Sequence, residues 1–214
     1  MLTVEAHMQV ALLHTPDEMR RIVDVAHVVE GIVIGAAAIA MIVDARAALR
    51  NARLVWPAIM VAAGVGLLLF LFIPHHGLTL ATTQWNFVLG DPQQRQHVVI
   101  AMLITAAGAV ELQRGRERLP ARGWGFAWPA ALAAIGVLFL VHQQHGTAEA
   151  VATAVRVHRY LGTAFIVAGV LSAANASRPR PSRWITLTTA VTLLVTASLL
   201  IAYREPPGAY EGHG

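Results

Sequence analysis

Cysteine and lysine are both missing from this 214-residue chain. Without cysteine there can be no disulfide, thiolate metal site, iron–sulfur cluster or covalently attached c-type haem. Without lysine there is no Schiff base to retinal or to pyridoxal phosphate. Charge is scarce too, with 13% of residues charged against 56% apolar. No glycine-rich phosphate loop and no Gly-x-Ser-x-Gly elbow occurs. The serines Ser172, Ser177, Ser182 and Ser198 all fall away from the histidines that a serine hydrolase would need.

What is present is apolar length. Runs at about 22–43, 54–74, 94–112, 124–143, 156–175 and 184–203 are each long enough to cross a bilayer. They predict an all-α integral membrane protein with six transmembrane helices. The three expected parts are an outer-surface segment (1–15), the helical domain (16–205) and a tail (206–214). Thr15-Pro16-Asp17-Glu18 reads as a capped helix start, so the first helix should begin there and continue to about Arg50. Residues 2–13 lack the basic region of a signal peptide and are expected to form a short surface helix.

All sixteen basic residues are arginine, and ten of them lie in three loops: Arg46, Arg50, Arg53; Arg114, Arg116, Arg118, Arg122; Arg178, Arg180, Arg183. The positive-inside rule makes those loops cytoplasmic and both termini periplasmic, in a bacterial inner membrane. This distribution implies the lipid bilayer as partner rather than nucleic acid. Other membrane subunits, or a periplasmic redox or metal partner, are further expectations.

All ten histidines then fall on the outer side: His7, His14, His27, His75, His76, His97, His142, His145, His158 and His213. Imidazole is costly in lipid and is the commonest metal ligand. An internal repeat orders them. Ala26-His27-Val28-Val29, Gln96-His97-Val98-Val99 and Val157-His158-Arg159-Tyr160 match one another near the starts of the odd helices. Trp56-Pro57, Trp128-Pro129 and Trp184 open the even ones, which end in His75-His76-Gly77, His142-Gln143-Gln144-His145-Gly146 and, without histidine, Pro207-Gly208. Three repeated helical hairpins are expected to pack as a pseudo-threefold bundle with equivalent histidines converging on its axis.

His27, His97 and His158 are thus the leading metal ligands. His76 and His145 match one another across the repeat, each preceding glycine. His142 and His145 are spaced to chelate one ion if the fourth helix continues through them, while His75 suits a supporting role or a second ion. Asp24, His27 and Glu30 share a helical face, and Glu30 has no acidic counterpart at Ile100 or Leu161. Its carboxylate therefore points to function rather than to scaffold. His7, His14 and His213 lie in terminal segments.

Three functions follow. The first is a non-haem metal site at the periplasmic face, with copper favoured by affinity order over zinc or iron, in redox chemistry (a membrane oxidase or oxygenase) or copper handling. The second is an electron-transfer subunit holding haem b between facing histidines. His158-Arg159-Tyr160-Leu161-Gly162 resembles an HRxxG stretch of membrane cytochrome b subunits over those five residues, and no family is identified across the chain. Gly31, Ala101 and Gly162, each four residues after a histidine, would leave room for a macrocycle or for close helix packing. The third is a subunit of a metal transporter. Against it, the inner half offers few polar groups beyond Thr105, Thr186, Thr188, Thr189 and Ser198.

Overall fold

Residues 15–46, 51–73 and 81–211 are described by the computed structural model. They form seven α-helices: α1 (Pro16–Ala45), α2 (Ala52–Phe72), α3 (Ala81–Gly90), α4 (Pro92–Gly115), α5 (Ala127–Leu140), α6 (Ala148–Ala176) and α7 (Arg183–Ala202). A 3-10 segment, Arg122–Phe126, leads into α5. Six of these helices are long and apolar enough to cross a membrane, α5 with its lead-in counted as one span. Among the described residues there is no strand, only an isolated bridge between Gly146 and Ala209.

Local chemistry sets the helix starts. The Thr15 hydroxyl accepts the Glu18 N–H at 3.3 Å, and the Glu18 carboxylate accepts the Thr15 N–H at 2.8 Å. Asp91 accepts the Gln94 N–H at 2.9 Å, with Pro92 opening α4. Thr147 caps α6 in the same way. The first helix stops at Ala45, short of Arg50, and residues 47–50 are outside the described residues. So are 1–14, with the expected surface helix, and 74–80, with His75 and His76.

The short helix α3 was not anticipated from the sequence. Gln84 and Trp85 on it donate to the carbonyls of Leu71 and Phe72, both at 2.9 Å, and so satisfy the last turn of α2.

The six long helices close into a ring in the order α1, α2, α4, α5, α6, α7 and back to α1. Tight seams join α2 to α4, α5 to α6 and α7 to α1, and looser seams lie between them. The tight pairs are therefore not the hairpins built around the arginine loops. Missing side chains explain the choice. A methyl group on Gly64 would stand 2.6 Å from the Ala101 carbonyl oxygen, one on Gly136 2.7 Å from that of Gly162, and one on Gly31 2.8 Å from that of Ala197. Backbones approach this closely only where at least one residue has no side chain. The small residues that follow each odd-helix histidine thus serve helix packing.

The tryptophan openers are not equivalent. Trp56 and Trp128 are 9% and 6% exposed, with rings 5.1 Å apart, whereas Trp184 is 66% exposed. By distance from the tight glycine contacts, Thr189, not Trp184, stands where Trp56 and Trp128 stand in their helices. Outward-facing Val29, Ile39, Leu69, Met102, Val170 and Val195 give each long helix except α5 an apolar face, and Val137 does so for α5. These faces suit contact with lipid tails.

Candidate functional site

One end of the ring gathers the described histidines. His27 on α1, His97 on α4 and His158 on α6 line a single cavity with His142, which follows α5. His27 and His158 are 6% and 3% exposed. The His142 ring lies 5.5 Å from that of His97, at right angles, and 4.2 Å from that of His158. The cavity has a volume of about 50 Å³. Glu30, Gln93, Gln144 and Glu205 complete its polar wall, and Leu67, Phe70 and Leu71 of α2 supply an apolar one.

Two of these rings have a fixed tautomer. His97 Nδ1 lies 2.9 Å from the Gln93 carbonyl oxygen, and His158 Nδ1 lies 2.8 Å from that of Ala154. A carbonyl oxygen only accepts, so Nδ1 carries the proton and Nε2 keeps its lone pair. The other two are not tied in this way: Nδ1 of His27 and Nδ1 of His142 are buried without a hydrogen-bond partner. Glu30 has no hydrogen bond or ion pair among the described residues, although it sits in a membrane-spanning helix. A lone carboxylate there is expensive unless a cation or a proton compensates it.

The turn after α5 separates two histidines that helical spacing would keep together. Gln96 accepts the Gln143 N–H at 3.3 Å and donates to the Val141 carbonyl at 3.2 Å. These bonds replace the next helical turn, so α5 stops at Leu140 and does not run on through His145. His142 consequently turns into the cavity while His145 turns away, its Nε2 lying 3.0 Å from Asp91 Oδ2. Burial, and then the neighbouring His158, His97 and His27, push the His142 pKa down to about 2. It is neutral at physiological pH, the form in which imidazole ligates a metal.

Asp24 does not join the cavity wall. Its Oδ1 accepts the Glu205 N–H at 2.7 Å and fastens the end of α7 to α1. Among the described residues no group of three or more His, Asp or Glu side chains is placed to hold one ion as the rings stand. The rings converge on one cavity, but their donor atoms do not yet share one point.

Several residues of this end were not singled out by the sequence. Asp91 caps α4 and holds His145. Tyr203 sets its ring edge-on to His27 at 5.1 Å, and its hydroxyl donates to Glu205 Oε2 at 3.2 Å. Gln144 donates to the same oxygen at 3.3 Å and accepts from Gln93 at 3.4 Å. Burial raises the Glu205 carboxyl to about 7, against the Tyr203 hydrogen bond that favours its charge. The available signal was positional: Glu205 follows the last apolar run, as histidines follow the runs 54–74 and 124–143 nearby in the sequence.

The His145–Asp91 pair makes stability depend on pH. The hydrogen bond to Asp91 raises the His145 pKa above the ordinary 6.5. Its contribution is then complete below about 6.5 and is lost as pH rises through the raised value. His145→Gln should lower the thermal midpoint at pH 5.5, by the equivalent of at most about 1 kcal/mol, and hardly at all at pH 9. Melting curves of both proteins at the two pH values check this; an equal loss at both would show that the ion pair is not the cause.

Comparison of the chain with protein-family models, with curated proteins and with solved structures gave no match.

Proposed function

We propose that the protein is an integral membrane metalloprotein of the bacterial inner membrane. In this reading it holds a transition-metal ion at the periplasmic end, with copper first and zinc or iron next, for redox chemistry or copper handling. The ligands would come from His27, His97, His142, His158 and Glu30. The observation that carries this is a carboxylate, Glu30, with no hydrogen bond or ion pair among the described residues, in a cavity lined by four imidazoles, two of them with an orphaned ring nitrogen.

Further features support the reading. Two imidazoles bound to one tetrahedral ion hold their ring centroids about 5 Å apart, near the 5.5 Å between His97 and His142. Nδ1–H bonded to a backbone carbonyl is the usual arrangement behind a ligating Nε2. Rotation of His27 and His142, which no Nδ1 bond restrains, would bring the donor atoms together. A cavity of about 50 Å³ suits an ion with a few waters and is far too small for a porphyrin, which favours the non-haem reading over haem b. Thr105, Thr186, Thr188 and Thr189 each donate to a carbonyl one turn back in their own helix, which speaks against a polar path through the inner half.

A pseudo-threefold plan is part of the proposal. Each of His27, His97 and His158 is followed four residues later by a small residue in a tight seam, and eleven later by Ala38, Gly108 or Gly169. That recurrence is what equivalent packing of three units requires.

Two experiments bear on these claims. Glu30→Gln keeps the shape and removes the charge, so it should weaken metal binding by about 10- to 100-fold while leaving helicity intact. Wild-type affinity in that variant would remove Glu30 from the site. For orientation, cysteines introduced at Ala48 and Arg118 should resist a membrane-impermeant thiol reagent in intact cells. Labelling at either position would place the arginine loops, not the histidines, outside.

A further inference from the structure

The end of the ring opposite the histidines is uneven in its charge. Around the start of α2 and the end of α4, arginines meet carboxylates: Arg53 pairs with Glu117 at 3.1 Å, and Arg114 with Glu111 at 2.7 Å. Around the 3-10 segment, the end of α6 and the start of α7 stand Arg122, Arg178, Arg180 and Arg183, all exposed. Between Leu119 and Arg204 the only acidic residue of the chain is Glu149, which opens α6 at the histidine end. Among the described residues no carboxylate pairs with any of the four arginines.

The fold gathers these arginines and stiffens the chain that carries them. The Arg122 guanidinium donates to the Ser177 carbonyl, which sets it beside Arg178. Gly125 lies against Ala176, where a methyl group on the glycine would stand 3.7 Å from the alanine side chain. The link from α6 to α7 is braced by one residue: Asn175 accepts the Ser182 N–H at 2.7 Å and donates to the Thr186 hydroxyl at 3.0 Å. Pro179 and Pro181 fix the backbone between Arg178, Arg180 and Arg183.

Below the arginines the surface turns aromatic and then aliphatic. Trp124, Phe126 and Trp184 are exposed, and the Arg183 guanidinium lies 5.1 Å from the centre of the Trp184 ring. Further along the same helices, Val167 and Val170 of α6 and Val191 and Val195 of α7 face outward. Charge, then aromatic rings, then an apolar face is the order in which a lipid presents its headgroup, interface and tails.

We infer that this sector binds an anionic phospholipid, with Arg122, Arg178, Arg180 and Arg183 around its phosphate and its acyl chains along the outward faces of α6 and α7. The inference is independent of any metal at the other end. Guanidinium groups offer phosphate oxygens paired N–H donors in a fixed fork. Each arginine close to an anionic lipid surface is worth about fivefold in affinity. Carboxylates cancel that attraction on the α2–α4 side and are missing here. The valine faces have nothing to offer a free phosphate ion, so the occupant is a lipid and not a soluble anion.

Full-length protein in a neutral detergent should be titrated with phosphatidylglycerol and with phosphatidylcholine of the same chains, and bound lipid counted by native mass spectrometry. Phosphatidylglycerol should bind at least about tenfold more tightly. Arg180→Gln combined with Arg183→Gln should weaken it by about 10- to 30-fold. Arg46→Gln combined with Arg116→Gln removes the same charge from the other side of this end, and should weaken it by less than about threefold. All four positions are exposed, so both double variants should keep the wild-type thermal midpoint in lipid-free detergent. Equal losses in the two double variants would reveal a diffuse charge effect and overturn the site. Equal affinity for the two lipids, or displacement of the lipid by millimolar inorganic phosphate, would overturn it as well.

Discussion

Replacing His158 by alanine should leave the purified protein with little or no bound metal, an affinity loss of more than about 100-fold. The effect should be the largest among single ligand changes. His158 is the most buried of the four rings, its tautomer is fixed by the Ala154 carbonyl, and it lies against both His142 and Phe139. His27→Ala and His97→Ala should also release metal, because their side chains line the same cavity from different helices. His145→Ala should not, since its ring is spent on Asp91. Metal content of the four variants, measured after the same purification, separates these outcomes. Full metal in all of His27→Ala, His97→Ala and His158→Ala would contradict a shared site.

A second large effect is expected far from any ligand. Gly136→Val should prevent the α5–α6 seam from closing, at a cost of about 3 kcal/mol or more. Even a methyl group there meets the Ile166 side chain at 2.6 Å and the Gly162 carbonyl at 2.7 Å, and backbone cannot step aside as a flexible side chain can. His142 and His158 flank that seam, so metal binding should fail together with stability. Gly66→Ala is the matched control, because nothing lies within 4 Å of the position. It should be neutral or stabilising by up to about 1 kcal/mol. Thermal midpoints that fell equally in the two variants would refute the close-approach argument.

The legible part of this molecule was its periodicity and its punctuation. Six apolar runs became six long helices, and Thr15-Pro16-Asp17-Glu18 became a capped start, because both are local properties of the chain. His27, His97 and His158 line one cavity, each from a different helix. What the sequence hid is decided by partners distant along the chain. Gln96 ends α5 by bonding Val141 and Gln143, and that sends His142 and His145 in opposite directions. Trp184 matches Trp56 and Trp128 by residue type alone; it is exposed where they are buried, a difference set by neighbouring helices. Asp24 shares a face with His27 and Glu30, yet the end of α7 claims it first. Glu205 and Tyr203 follow the last apolar run and carry no spacing pattern, so only their folding back reveals them.

The central claim is that the four imidazoles and Glu30 form a metal site, and the most direct test is elemental analysis with an absorption spectrum of the wild-type protein. The account predicts a first-row transition metal in stoichiometric amount, copper foremost, with no Soret band and with loss of the metal in His158→Ala. Protein that is metal-free even after exposure to copper, zinc and iron, or that shows a Soret band, would contradict it.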